Sequence, residues 1–201
     1  MNMKIKWLRE RLIGLNLEGM IISNPVNVRY LTNINAEGTL IITRKENVYI
    51  TDGRYIEVAQ RAVTIDDEIL IVNSKAMANE DYELFFCFAE NVGFEEKFVT
   101  YENYKKIMHT YKINNLAETE GLLENQRMIK DKEEIEKIGK ACNITDNCFT
   151  YLLSFIKKGM TEKEIAFEIQ KYFSLNGAEK IAFDSVVASR NQFINATCYT
   201  N

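Results

Sequence analysis

The sequence predicts an α/β protein: a domain of helices layered on a mixed sheet, followed by two longer helices and a strand. Three observations predict it. From Met3 to Ala117, helical stripes alternate with short apolar runs rich in Ile, Val and Thr, the pattern of helices layered on a sheet. From Asp131 to Leu175 the alternation gives way to two longer helical stripes, each opened by a capping pattern. The 201 residues are 46% hydrophobic and 27% charged, with one proline. That is ordinary for a folded globular chain of one large or two small domains.

The first element is a helix over residues 3–18, with Ile5, Leu8, Leu12 and Leu15 on one face and Gly19 ending it. Met20 to Ile22 is a short buried strand closed by Ser23-Asn24-Pro25. Pro25 suits the first turn of a helix, with Asn24 as its cap. One or two helical turns then carry the chain through Thr32. Thr39 to Thr43 and Asn47 to Thr51 read as a hairpin around Arg44-Lys45-Glu46. Thr51-Asp52-Gly53-Arg54-Tyr55 leads into a helix with Ile56, Ala59 and Val63 inward. Glu68 to Val72 is a strand, Tyr82 to Ala89 an apolar helix and Asn91 to Phe94 a strand. Thr100 to Tyr111 is a helix, and Ile113 to Ala117 is the last strand of the sheet.

The second part opens at Asp131. Glu134 follows three residues later, so each side chain can accept from the other's backbone N–H. Ile135, Ile138, Cys142, Thr145, Phe149, Leu152 and Ile156 then predict one buried stripe, and Gly159 stops the helix. Thr161 and Glu164 repeat the capping box. Ile165, Ala166, Ile169, Tyr172 and Phe173 form the next inner face, ended by Gly177. Ala182 to Ala188 reads as a strand. The boundary between domains falls near Glu120 to Asn125, giving domains of 1–122 and 123–201.

The net charge of −4 and the absence of a basic cluster argue against nucleic-acid binding. The N-terminus carries charges throughout and no long apolar run, so neither a secretory signal nor a membrane span is expected and the cytoplasm is the default. The cysteines, Cys87, Cys142, Cys148 and Cys198, form no CxxC pair; Cys142 and Cys148 are expected as small core residues. The single histidine, His109, lies in a polar helical stretch and reads as a surface residue. Asp52 and Arg54 could bind a substrate from a tight turn, but a helix cap and an ion pair explain them more simply. Tyr101, Tyr104 and the phenylalanines at 85, 86 and 88 read as core. The acidic runs Asp66-Asp67-Glu68 and Glu133-Glu134 read as solvated faces and not metal sites.

An ordered set of residues resembles a known family. In the second part these are Arg127, Lys130-Asp131, Glu134-Ile135, Ile138, Ala141, Gly159-Met160-Thr161-Glu162, Glu164-Ile165-Ala166, Gly177 and Phe183 to Ser189. In the first part they are Asn24-Pro25, Arg29-Tyr30-Leu31-Thr32 and Thr51-Asp52-Gly53-Arg54-Tyr55. Together they resemble the Xaa-Pro peptidase, prolidase and creatinase family. The resemblance implies a mixed-sheet creatinase/prolidase-type N-terminal domain followed by an incomplete α+β domain, the start of a pita-bread catalytic domain. Where the family often has Gly after Tyr-Leu-Thr, this chain has Asn33, which tolerates the left-handed backbone of a turn.

The family implies metal-dependent hydrolysis of the bond before proline. Two divalent ions, manganese-like, are held by two Asp, one His and two Glu and activate a bridging water. Proline-containing peptides are the implied substrates and a homodimer the implied assembly, with the N-terminal domain covering the active-site mouth. No catalytic or metal-binding residue can be assigned to a position here, because the family's ligands follow the segment that ends at Ser189. The family would continue with Gly and then a Pro-His pair; here Arg190 follows and no Pro-His pair does. One allowed codon choice for Gln192 to Asn201, shifted by one base, encodes Asn-Ser-Ser-Met-Pro-His-Ala-Thr-Pro. Residues 190–201 are therefore expected to be out of frame, and the chain to be catalytically inactive. The plainer alternative is a chain cut between domains. Rival functions are a non-catalytic interaction or dimerisation module of the same architecture, and an enzyme of this fold acting on creatine or another small amide.

Overall fold

The computed structural model describes residues 2–86 and 89–188. The chain divides into two compact units, Met1–Ile129 and Lys130–Asn201.

The first unit opens with α1 (Met3–Gly14), whose Asn2 side chain accepts from the N–H groups of Lys4 and Ile5. Ile5, Leu8 and Leu12 are buried as expected, but the helix ends at Gly14 and Leu15 is 52% exposed. The cause is Asn16, which takes φ +55°. Its N–H bonds to the Ile13 carbonyl and that of Leu17 to the Leu12 carbonyl, which is the Schellman arrangement with Asn in the usual glycine position. Leu17 is thereby returned to the core, and β1 (Gly19–Ile22) follows. Helix α2 (Pro25–Thr32) is capped by Asn24 with Pro25 in its first turn, and Asn33 closes it at φ +59°.

Strands β2 (Gly38–Thr43) and β3 (Asn47–Thr51) form the expected antiparallel hairpin, its turn fastened by Thr43 Oγ1 accepting from Lys45 and Glu46. Then come α3 (Ile56–Ala62), β4 (Ile69–Asn73), α4 (Asn79–Leu84), β5 (Val92–Phe94), α5 (Tyr101–Tyr111), β6 (Leu116–Glu118) and α6 (Leu122–Met128). Helix α4 starts earlier and ends earlier than the expected 82–89, because Asp81 accepts from the Ala78 N–H and fixes the start. Beyond it Phe86 turns into the core.

The sheet order is β4-β3-β2-β1-β5-β6. The β1–β2 and β2–β3 pairs are antiparallel and the other three parallel, so the sheet is mixed as expected. Successive residues face opposite sides of a strand, and each side has its own core. Met20, Ile22, Leu40, Ile42 and Tyr49 pack with Leu8 of α1, Leu31 of α2, Ala59 of α3 and Leu123 of α6. Ile21, Ile41, Val48 and Ile50 pack on the other side with Phe86 and with Ile107 and Tyr111 of α5.

The second unit holds α7 (Lys132–Phe155) and α8 (Glu162–Leu175). Both capping boxes form: Asp131 with Glu134, and Thr161 with Glu164. Gly159 takes φ +98° in the turn between them. The helices meet where the Tyr151 ring stacks on Tyr172 at 5.1 Å and its hydroxyl donates to Glu168 at 2.9 Å. The stripe expected to be buried is open instead. Ile135, Ile138, Phe149 and Ile156 are exposed, with Phe149 at 64%, and Leu153 and Phe167 reach 70% and 67%. Of the two cysteines expected in the core, Cys148 is buried and Cys142 is exposed. Residues 182–188 form no strand, and Phe183 and Val186 are exposed. A strand exists only by pairing, and no described segment pairs with this one.

Candidate functional site

Two constellations of polar groups stand out, both in the first unit. The first lies at the ends of the parallel strands β3 and β4. Asp52 accepts from the Arg54 N–H and the Arg54 Nε, both at 2.9 Å, and from Lys75 Nζ at 3.2 Å. The backbone N–H of Arg54, its guanidinium and Lys75 hold the Asp52 carboxyl well below the usual carboxylate range. Asp52 thus caps the 3-10 turn Gly53–Tyr55 that precedes α3, and the ion-pair partner of Arg54 is Asp52 itself. The structural reading accounts for both residues.

The second constellation is buried and joins three segments far apart in sequence. Glu95 follows β5 directly. Its Oε2 accepts from the N–H groups of Ser23 (2.7 Å) and Asn24 (2.8 Å), and its Oε1 from Asn27 Nδ2 (2.8 Å). The same Nδ2 donates to Glu124 Oε1 (2.8 Å) on α6, and Arg127 Nη1, also on α6, donates to Asn27 Oδ1 (3.0 Å). Asn27 is fully buried, and both hydrogens of its amide and its oxygen are used. Burial pushes the Glu95 carboxyl up, against the three hydrogen bonds that favour its charge. This cluster was missed from the sequence alone. Its one signal is an acid placed directly after an apolar strand.

The other candidates are structural or exposed. His109 lies exposed in the last turn of α5. Tyr101, expected in the core, is 75% exposed; Tyr104 is half-buried and packs edge-on against Phe94, while Phe85 and Phe86 join the core. Phe88 and Cys87 fall outside the described residues, as does Cys198. Asp67 accepts from the Thr64 N–H, Glu133 pairs with Lys137, and Glu134 serves the α7 cap. Among the described residues no three His, Cys, Asp or Glu side chains are grouped to hold a metal ion.

Residues 4–129 match the creatinase/prolidase N-terminal domain, and residues 136–195 match metallopeptidase family M24. The chain belongs to the creatinase/prolidase family of Xaa-Pro peptidases. An uncharacterized peptidase of Bacillus subtilis is 31% identical over 189 residues, covering 93% of this chain and 53% of that protein. An Xaa-Pro dipeptidase of Pyrococcus furiosus is 29% identical, covering 87% and 49%. A solved Xaa-Pro dipeptidase from Bacillus anthracis superposes with a TM-score of 0.78 at 28% identity, covering 90% of this chain and 51% of that one. The chain spans about half the length of the curated relatives it matches. The mixed-sheet unit with its α/β layering is the prolidase N-terminal architecture. Metallopeptidases of this family generally need divalent metals. No helix among the described residues is long and apolar enough to cross a membrane.

Proposed function

We propose that this chain is the N-terminal domain and the leading part of the catalytic domain of a cytoplasmic, metal-dependent Xaa-Pro peptidase. The peptidase hydrolyses the bond before proline and works as a homodimer with two manganese-like ions. The observation that carries the reading is the order of the two family matches, 4–129 and then 136–195, on one continuous chain. The 201-residue chain itself is inactive on proline peptides. About half the length of the curated relatives lies outside the match, and the described residues group no three His, Cys, Asp or Glu side chains that could hold a metal. The same proposal places a shift of reading frame near Arg190, in the 190–201 tail within which the family match stops at residue 195. Reading the encoding DNA from the codon for Lys180 onward tests it. The neighbouring frame is expected to run into Pro-His and on to an Asp, Asp, His, Glu, Glu series. A frame that closes at once, with no such series, overturns the proposal.

One observation favours a second reading, a non-catalytic interaction or dimerisation module. Phe149, Leu153 and Phe167 present large apolar side chains to solvent, which is the surface such a module would use. It predicts that the chain binds a partner with these residues buried, and a scan of apolar-to-serine substitutions against binding checks it.

A further inference from the structure

We infer that Glu95, Asn27 and Arg127 form a protonation-sensitive latch on α6, the helix that leads out of the first unit. The inference goes beyond the proposed peptidase function and does not rest on it. Every partner of the ionised Glu95 is a donor: Ser23 N–H and Asn24 N–H on Oε2, and Asn27 Nδ2 on Oε1. A proton taken up from solvent settles on Oε1, which accepts one bond where Oε2 accepts two, and the new O–H then needs an acceptor. The two backbone N–H groups are fixed at the start of α2. The Asn27 amide, in contrast, can turn over about its last side-chain bond. Turning it presents Oδ1 to the new Glu95 O–H and resolves that contact.

The same turn breaks both bonds that Asn27 makes to α6. Oδ1 then faces Glu124 Oε1, acceptor against acceptor, and Nδ2 faces Arg127 Nη1, donor against donor. Leu122 and Leu123, packed on the core, and the Gln126 Nε2 bond to the Lys4 carbonyl still hold α6. The amide orientation in the latched state is fixed by chemistry, since two carboxylates and one guanidinium allow only one. Burial, which already raises the affinity of Glu95 for a proton, places the transition above the ordinary carboxylate range. The charged groups facing Glu95 are Glu124 and, through Asn27, Arg127 on α6, with Glu96 and Lys97 on its own turn. Glu96 is committed elsewhere, accepting from the N–H groups of Thr119 and Gly121.

The test is amide hydrogen exchange of the full chain, read by mass spectrometry peptide by peptide and corrected for chemical exchange, at about pH 7.5 and about pH 5. Protection in peptides spanning 122–128 is expected to fall about tenfold on acidification while peptides of β1 to β3 hold theirs. Glu95→Gln, which carries a permanent donor, is expected to make 122–128 exchange fast at both pH values. Glu124→Gln keeps Glu95 and an acceptor for Asn27, so the acid response is expected to persist. Unchanged protection at 122–128, or an equal change across the sheet, overturns the latch; so does loss of the response in Glu124→Gln, which would assign the proton to Glu124. If Glu95→Gln unfolds the unit, the unsubstituted chain and Glu124→Gln decide the matter.

Discussion

Glu95 accepts three hydrogen bonds from three donors, so replacing it with its amide is not a neutral change. Glu95→Gln must turn an N–H₂ toward either the backbone N–H pair or Asn27, leaving buried groups unmatched. We predict a loss of about 1–3 kcal/mol in the first unit's unfolding free energy, measured in urea. The pH dependence has a definite sign. A raised folded-state affinity for protons means that the native state binds them more readily than the unfolded chain. The Glu95 contribution therefore increases as pH falls through a window just above the ordinary carboxylate range, and it is lost as pH rises. Unfolding curves of the unsubstituted chain should show this gain and those of Glu95→Gln should not. Gly38 carries a second single-residue prediction. A Cβ there would lie 2.4 Å from Tyr49 Cζ and 2.7 Å from the Ile50 carbonyl oxygen. Tyr49 is fully buried and backbone cannot yield cheaply. Gly38→Ala is expected to cost about 1–3 kcal/mol, read from the same unfolding curves.

Helix ends show which local signals a sequence carries. The Asp131–Glu134 and Thr161–Glu164 boxes and the Asn24–Pro25 start could be read directly, because each cap depends on residues within one turn. Thr161→Ala should therefore cost the second unit about 1 kcal/mol, with helix content followed by circular dichroism. The end of α1 could not be read the same way: Asn16 performs the turn expected of Gly19, and an asparagine announces that role weakly. The Glu95 cluster was hidden for a different reason. Its bonds join residues 68 to 100 positions apart, and no periodicity reports such a meeting. The segment 182–188 has the composition of a strand but no partner among the described residues, so propensity alone did not make it one. The apolar stripe of α7 was read with the right spacing and the wrong burial, since spacing defines a face and only a neighbour buries it. Phe149→Ser should thus leave unfolding stability within about 0.5 kcal/mol and reduce self-association, followed by light scattering.

The two units divide between Ile129 and Lys130. Helix α6 lies on the first unit's side because Leu123 is buried in that core and Glu124 and Arg127 bind Asn27. The first unit has a sheet covered on both faces, while the second leaves large apolar side chains of α7 and α8 in solvent. That contrast is what the proposed N-terminal domain, followed by part of a catalytic one, leads us to expect. The most direct measurement is a side-by-side hydrolysis assay with added manganese on an Xaa-Pro dipeptide and an Xaa-Pro-Xaa tripeptide. It compares the 201-residue chain with one extended through the neighbouring frame beyond Ser189. We expect metal-dependent cleavage before proline from the extended chain and none from the shorter one. Metal-dependent turnover by the 201-residue chain itself would contradict the account.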